Sequence, residues 1–164
     1  MTDHELREKI DAIERGPALI VAAAAGMDDR TLRYKPAPDK WCILEILGHL
    51  ADIEVLYGYR MRQMLADREP TIAPIDQDDW ARNLGYLEGS PSDFLAAYQA
   101  ARRANLRLLR RLEATDLAKG AFHPEKGRKV TLEELIGMMV IHAPNHAGQI
   151  ERLKQQAKAA TPLQ

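Results

Sequence analysis

Apolar residues recur along this chain at steps of three and four over four long stretches, the spacing that lines one face of an α-helix. In the first, about Asp3 to Met27, Leu6, Ile10, Ile13, Ile20 and Ala24 fall on such steps or their multiples. Gly16-Pro17 interrupts it, and this predicts a kink or two helical pieces. The second, about Cys42 to Arg68, carries Ile43, Ile46, Leu50, Ile53, Tyr57, Met61 and Met64 as one stripe. The third, about Pro91 to Ala114, follows a capping serine, Ser90 or Ser92. It puts Phe94, Tyr98, Ala101, Leu108 and Leu112 on one face and Arg103, Arg107, Arg110 and Arg111 on another, solvated one. The fourth opens on a capping box, Thr131-Leu132-Glu133-Glu134, and runs to about Gln156 with Leu132, Leu135, Met139, Ile150 and Leu153 together. Loop-like stretches lie between: Arg33–Asp39, Thr71–Ser90 and Asp116–Val130.

Four helices of roughly 25 residues, each about 35–40 Å long, predict an all-α four-helix bundle. The connection between the second and third is long for a bundle, with room for a crossover or a short extra helix. Composition agrees. Only 5% of the residues are aromatic, and Ala, Leu, Glu, Arg and Gln dominate. At 164 residues one domain is expected, spanning 1–157, with 158–164 as a polar tail. A net charge of −1 excludes the broad cationic field of a nucleic-acid binder. The longest apolar run, Ala18 to Met27, is too short for a bilayer span, and the N-terminus MTDHELREK is unlike a signal peptide. The single cysteine, Cys42, can form no internal disulfide. A cytoplasmic protein is expected, with neither nucleic acid nor membrane as a partner.

The chemistry rests on histidines. His4 is near the chain start and reads as solvated, and His123 sits in a Pro/Gly loop with no assigned role. His142 and His146, four residues apart, project about 40° apart on the apolar side of the fourth helix. Such a pair can chelate one metal ion. His49 lies one turn from Ile46 and Ile53, where a bundle can aim it at the same interior. Three imidazoles around one ion leave coordination positions open, as in a catalytic site. Three separately hydrogen-bonded histidines are the bland alternative. Glu45, Asp52 and Gln149 are placed by helix geometry to orient the imidazoles, or else are simply solvated. Asn105 either faces the site or bonds backbone.

These residues resemble a known family. Asp39-Lys40-Trp41-Cys42-Ile43-Leu44-Glu45 with Gly48-His49-Leu50-Ala51-Asp52, and His142-Ala143-Pro144-Asn145-His146-Ala147-Gly148-Gln149-Ile150, are similar in order and spacing to the DinB/YfiT-like metalloenzyme superfamily. Asp79-Trp80-Ala81 and His123-Pro124-Glu125 look like it too, and the likeness covers about residues 5 to 154. It implies a four-helix bundle with a divalent metal, zinc or nickel, held at His49, His142 and His146, and homodimers are common in the family. It also implies either a metal-dependent hydrolase or a transferase that uses a low-molecular-weight thiol, acting on a small molecule. A non-catalytic, metal-stabilised bundle serving as a stress-associated binding protein is the rival. Two departures stand out. Cys42 replaces the usual Ser or Thr at a helix start, so Asp39 is expected to cap; the thiol is read as buried and inert, with a fourth ligand as its alternative. Pro144, between the paired histidines, is expected to kink the helix and splay them.

Overall fold

A computed structural model of the protein describes residues 1–160. Six helices and one hairpin follow in order: α1 Asp3–Ala24, α2 Asp29–Leu32, α3 Ile43–Ala66, α4 Gln77–Asn83, α5 Pro91–Leu109, β1 Gly120–His123, β2 Arg128–Thr131 and α6 Leu132–Ala159. Short 3-10 turns occupy Tyr86–Glu88, Ala114–Ala118 and Pro124–Lys126. Helix α6 continues to Ala159, past the start of the expected tail at 158, and residues 161–164 of that tail lie outside the described residues.

The four long helices form the bundle. α1 packs on α6 and α5, and α3 packs on α5 and α6. Consecutive long helices, α1 and α3, therefore face each other across a diagonal. The burial pattern gives their directions. Leu6 to Ile13 of α1, Ile53 to Met64 of α3, Leu106 and Leu109 of α5 and Leu132 to Met139 of α6 share one apolar cluster. Ile20 and Ala23, Ile43 to Ala51, Tyr98, and Ala143 to Leu153 share the other. So α1 and α6 run one way and α3 and α5 the other, up-down-down-up. Because α3 and α5 are parallel neighbours, residues 67–90 must travel back along the bundle, which is why that connection is long. On the way α4 and the turn Tyr86–Glu88 cover the outer side of α3. Ile43 to Ala51 are consequently buried all round. Gly48 makes room for this cover: a Cβ there would lie 2.7 Å from the Tyr86 ring.

Several expectations need correction. α1 is one helix through Pro17, not two pieces, and ends at Ala24. α3 is capped at Cys42, not Asp39: the Glu45 carboxylate accepts from the Cys42 N–H at 2.8 Å, as in a capping box. α5 stops at Leu109, and its buried face is Tyr98, Arg102, Asn105, Leu106 and Leu109, rotated from the expected stripe. Asp116–Val130 is not all loop, since β1 and β2 pair antiparallel there with Gly120 opposite Thr131. The fourth-helix capping box is present as expected, with Thr131 Oγ1 accepting from the Glu134 N–H and Glu134 from the Thr131 N–H.

A polar layer separates the two apolar clusters, made of His49 and Glu54 on α3, Arg102 and Asn105 on α5 and His142 on α6. Its centre is an ion pair between Arg102 and Glu54, 2.7 Å long, with both side chains 1% exposed. Asn105 donates to the Glu54 carbonyl and to its carboxylate, each at 2.8 Å, and Arg102 also bonds the Tyr98 hydroxyl. A second guanidinium nitrogen of Arg102 donates to the Ile13 carbonyl. That carbonyl lacks its usual α-helical donor, because the residue four ahead of it is Pro17, which has no N–H. Arg102 thus supplies from α5 the hydrogen bond that proline removes, and this keeps α1 whole through Pro17.

Candidate metal centre

The site lies in this polar layer, where α3 meets α6. His49 and the pair on α6 arrive from antiparallel helices, so a single turn of each suffices to face them together. The His49 and His142 Nε2 atoms are 3.2 Å apart, and one ligand atom from each of His49, His142 and His146 falls within 4.8 Å of the others. Ligands about 2.1 Å from a tetrahedral ion sit about 3.4 Å apart, so the His49–His142 pair is close to coordination spacing. The His142 and His146 rings are 4.6 Å apart, and α6 is unbroken through Pro144, so the expected splaying does not occur.

Burial holds all three imidazoles neutral at ordinary pH. It lowers His49 to about 3, with His146 adding to the shift. It lowers His142 to about 2, helped by His146, His49 and Arg102. His146 is also lowered, chiefly by burial and against the opposing hydrogen bond of Gln149. Neutral nitrogen lone pairs turned toward one point are what a cation needs from its ligands. His49 is fully buried, while His142 and His146 are half-buried, so the α6 side of the cluster is reached by solvent.

The surroundings fix the rings. Gln149 Oε1 lies 3.0 Å from His146 Nδ1, which leaves Nε2 of that ring for the cluster. The Trp41 ring meets His49 edge-on at 4.9 Å, and its indole N–H is held by Asp78 at 2.8 Å. The Tyr57 ring meets His142 at 5.6 Å. Of the three residues placed to orient imidazoles, Gln149 does so. Glu45 instead takes the Cys42 N–H and pairs with Lys35 at 2.8 Å, and Asp52 accepts from the Tyr86 hydroxyl at 2.7 Å. Cys42 is buried outside the cluster, and burial pushes its thiol up, away from the thiolate a ligand would need. Asn105 bonds Glu54 and not the site. His4 is exposed, 3.7 Å from Glu8, and Arg103, Arg107, Arg110 and Arg111 lie on an exposed face. Glu54 and Arg102 were not singled out in the sequence. Their signal was a charge at a position where the helical stripe asks for an apolar residue, between Ala51 and Gly58 and between Tyr98 and Leu109.

Three converging, neutral imidazoles in a four-helix bundle form a group that could hold a metal ion. The signature of the DinB superfamily matches residues 12–150, and the chain belongs to that superfamily. It is 28% identical over 147 residues to YfiT of Bacillus subtilis (strain 168), provisionally named a metal-dependent hydrolase, covering 90% of this chain and 83% of that one. A relative in Oceanobacillus iheyensis carries the same provisional name and is 26% identical over 154 residues, covering 93% and 88%. The solved structure of B. subtilis YfiT, described as having an unusual four-helix bundle topology, superposes with a TM-score of 0.89 at 26% identity over 96% of this chain and 90% of that one. A mycothiol-dependent maleylpyruvate isomerase superposes with a TM-score of 0.67 at 16% identity, covering 98% and 71%, a likeness of fold alone.

Proposed function

We propose that this protein is a metal-dependent hydrolase of small molecules, with a divalent cation, zinc or nickel, held by His49, His142 and His146. The observation that carries the reading is the convergence of three neutral imidazoles within 4.8 Å on the partly open side of α6. Three protein donors leave coordination positions for water and substrate, which a closed structural site with four does not. When bound, such an ion supplies a Lewis acid that makes a water nucleophilic at neutral pH. The chain's own residues do the rest. Gln149 fixes the ring of His146, Trp41 and Tyr57 wall the cluster on two sides, and burial keeps the imidazoles free of competing protons. The names of the YfiT relatives support hydrolysis over thiol transfer, and the half-exposed face of the site supports an enzyme over a purely structural bundle.

Elemental analysis of untagged protein purified without chelator, beside His49→Ala and His142→Ala, tests the centre. About one equivalent of metal in the wild type, lost in both variants with helical circular dichroism kept, is expected. Loaded protein is then screened on esters and amides, with and without added thiol. No metal uptake from zinc or nickel solutions refutes the reading, and turnover only with thiol replaces hydrolysis by transfer.

A further inference from the structure

Two arginines among the described residues are withdrawn from full exposure, Arg102 and Arg60. Arg102 has Glu54 as its counter-charge. Among the described residues, no carboxylate lies within ion-pair distance of Arg60, on α3. One of its terminal nitrogens donates to the Ala73 carbonyl at 3.0 Å, while its Nε is buried without a hydrogen-bond partner. Half-buried guanidinium left without a counter-ion is costly in a folded chain unless something anionic or polar answers it.

Besides the Nε of Arg102, whose terminal nitrogens are paired, one other buried side-chain nitrogen among the described residues lacks a partner, Nδ1 of His123. Arg60 and His123 are joined through the hairpin: Ile72 N–H donates to the Phe122 carbonyl and Phe122 N–H to the Pro70 carbonyl, each at 2.8 Å. Ala73, which Arg60 holds, and His123 are the next residues on these two paired segments. On β1, Phe122 faces out at 48% exposure and Ala121 is buried, so His123 shares the inward side with Ala121. A guanidinium whose Nε has no partner and an imidazole with an unpartnered nitrogen thus both belong to the junction of α3 and the hairpin. Arg60 stands one turn beyond Tyr57 on α3, and the Tyr57 ring rests on His142. The junction therefore continues the face of α3 that carries the metal-centre residues. Arg60 and His49, eleven residues apart on one face of α3, are separated by about 16.5 Å of helix rise.

We infer that Arg60 and His123 form the seat for an oxyanion, a carboxylate or phosphate, at the far end of an elongated substrate whose reactive group lies at the three histidines. This rests on the hydrolase reading for the substrate, but the seat itself is testable without metal or turnover. Metal-free protein is titrated with inorganic phosphate and, separately, with glutarate, against sodium chloride at matched ionic strength, and binding is followed by calorimetry. Wild type, Arg60→Gln, Arg60→Lys, His123→Gln, His142→Ala and the exposed control Arg62→Gln are compared, with circular dichroism as the check on folding. The expected result is saturable binding of at least one of the two anions. It weakens tenfold or more in R60Q, several-fold in R60K and H123Q, and is unchanged in R62Q and H142A. Which anion binds names the substrate class. Saturation by neither anion in folded wild type, or wild-type binding in R60Q, overturns the seat and leaves the two nitrogens to water. A protein that takes up no metal yet binds the anion through Arg60 instead overturns the hydrolase reading and keeps the seat.

Discussion

Removal of Arg102 should be among the most damaging single changes in this chain, and Pro17 should set how damaging. In Arg102→Met the Glu54 carboxylate, 1% exposed, loses its counter-charge, and the Ile13 carbonyl loses its donor. Breaking a buried ion pair from one side costs about 3–5 kcal/mol. An unsatisfied buried carbonyl adds about 1–3 kcal/mol. Part of the first cost is relieved, because Asn105 still donates to Glu54 and a stranded carboxylate can take up a proton. About 4 kcal/mol net is expected, a large fraction of the 5–15 kcal/mol that keeps a domain folded. Two second changes apportion it. Glu54→Gln removes the stranded charge, so E54Q/R102M should be more stable than R102M alone by about 2 kcal/mol. Pro17→Ala returns an N–H to α1 within reach of the Ile13 carbonyl, so R102M should cost about 1 kcal/mol less in a P17A background. Urea unfolding of metal-free protein, followed by circular dichroism, measures all of these. Costs that add without coupling between positions 17 and 102 would refute the account of Arg102 as the partner of the carbonyl that proline leaves open.

Stability of the metal-free protein should fall with acid. His49 and His142 have folded pKa values of about 3 and 2 against about 6.5 unfolded, so between these values the unfolded chain binds more protons. The stability is present above about 6.5 and drains as pH falls below it, by about 2 kcal/mol per histidine between pH 7 and pH 5. In His142→Gln the urea midpoint should lose that share of its pH dependence, and an unchanged slope would count against a neutral, buried His142. Gln149→Leu should weaken zinc binding about tenfold in competition with a chromophoric chelator, since it frees the His146 ring, and wild-type affinity would deny Gln149 an orienting role. Gly48→Ala should cost about 1–3 kcal/mol by pushing the Tyr86 ring off α3, with Tyr86→Phe costing about 1 kcal/mol through the lost bond to Asp52. A stable G48A would mean the cover over α3 is free to shift.

The bundle and its three histidines were legible because both follow from single-helix geometry. A stripe at steps of three and four shows which face turns inward, and His142, His146 and His49 each lie on or beside one. What periodicity leaves open is everything set between helices. The up-down-down-up order is decided by where residues 67–90 run, and only the length of that connection hinted at a crossover. The hairpin at 120–131 escaped because its four-residue strands hold too few residues for an alternation to register, and its pairing depends on the Pro70–Ile72 segment some fifty positions away. Asp39 lost the cap at α3 to Cys42 because the extended turn falls immediately before Ile43, and Glu45 secures it through the backbone whatever side chain stands there.

The rotated face of α5 carries the wider lesson. Leaving the charged Arg102 out of the apolar face put the inferred stripe on Ala101 and Leu108, away from the side that is buried, although Asn105 lies on both. A charge can lie in a bundle interior only with its complement, and the complement is on another helix: Glu54 for Arg102, and the carbonyl opened by Pro17 for the same guanidinium. An apolar layer of equal volume would be expected to match or exceed this pair in stability. The layer nonetheless sits where His142 enters the core, and Arg102 is one of the groups that holds that imidazole neutral. A polar layer shared by three helices fixes their mutual register more narrowly than interchangeable aliphatic contacts do, and the proposed metal centre depends on that register, because His49 and His142 stand on different helices with their nitrogens 3.2 Å apart. The interruption of the apolar pattern on α3 and α5 by Glu54 and Arg102 is therefore part of how the three histidines are held together.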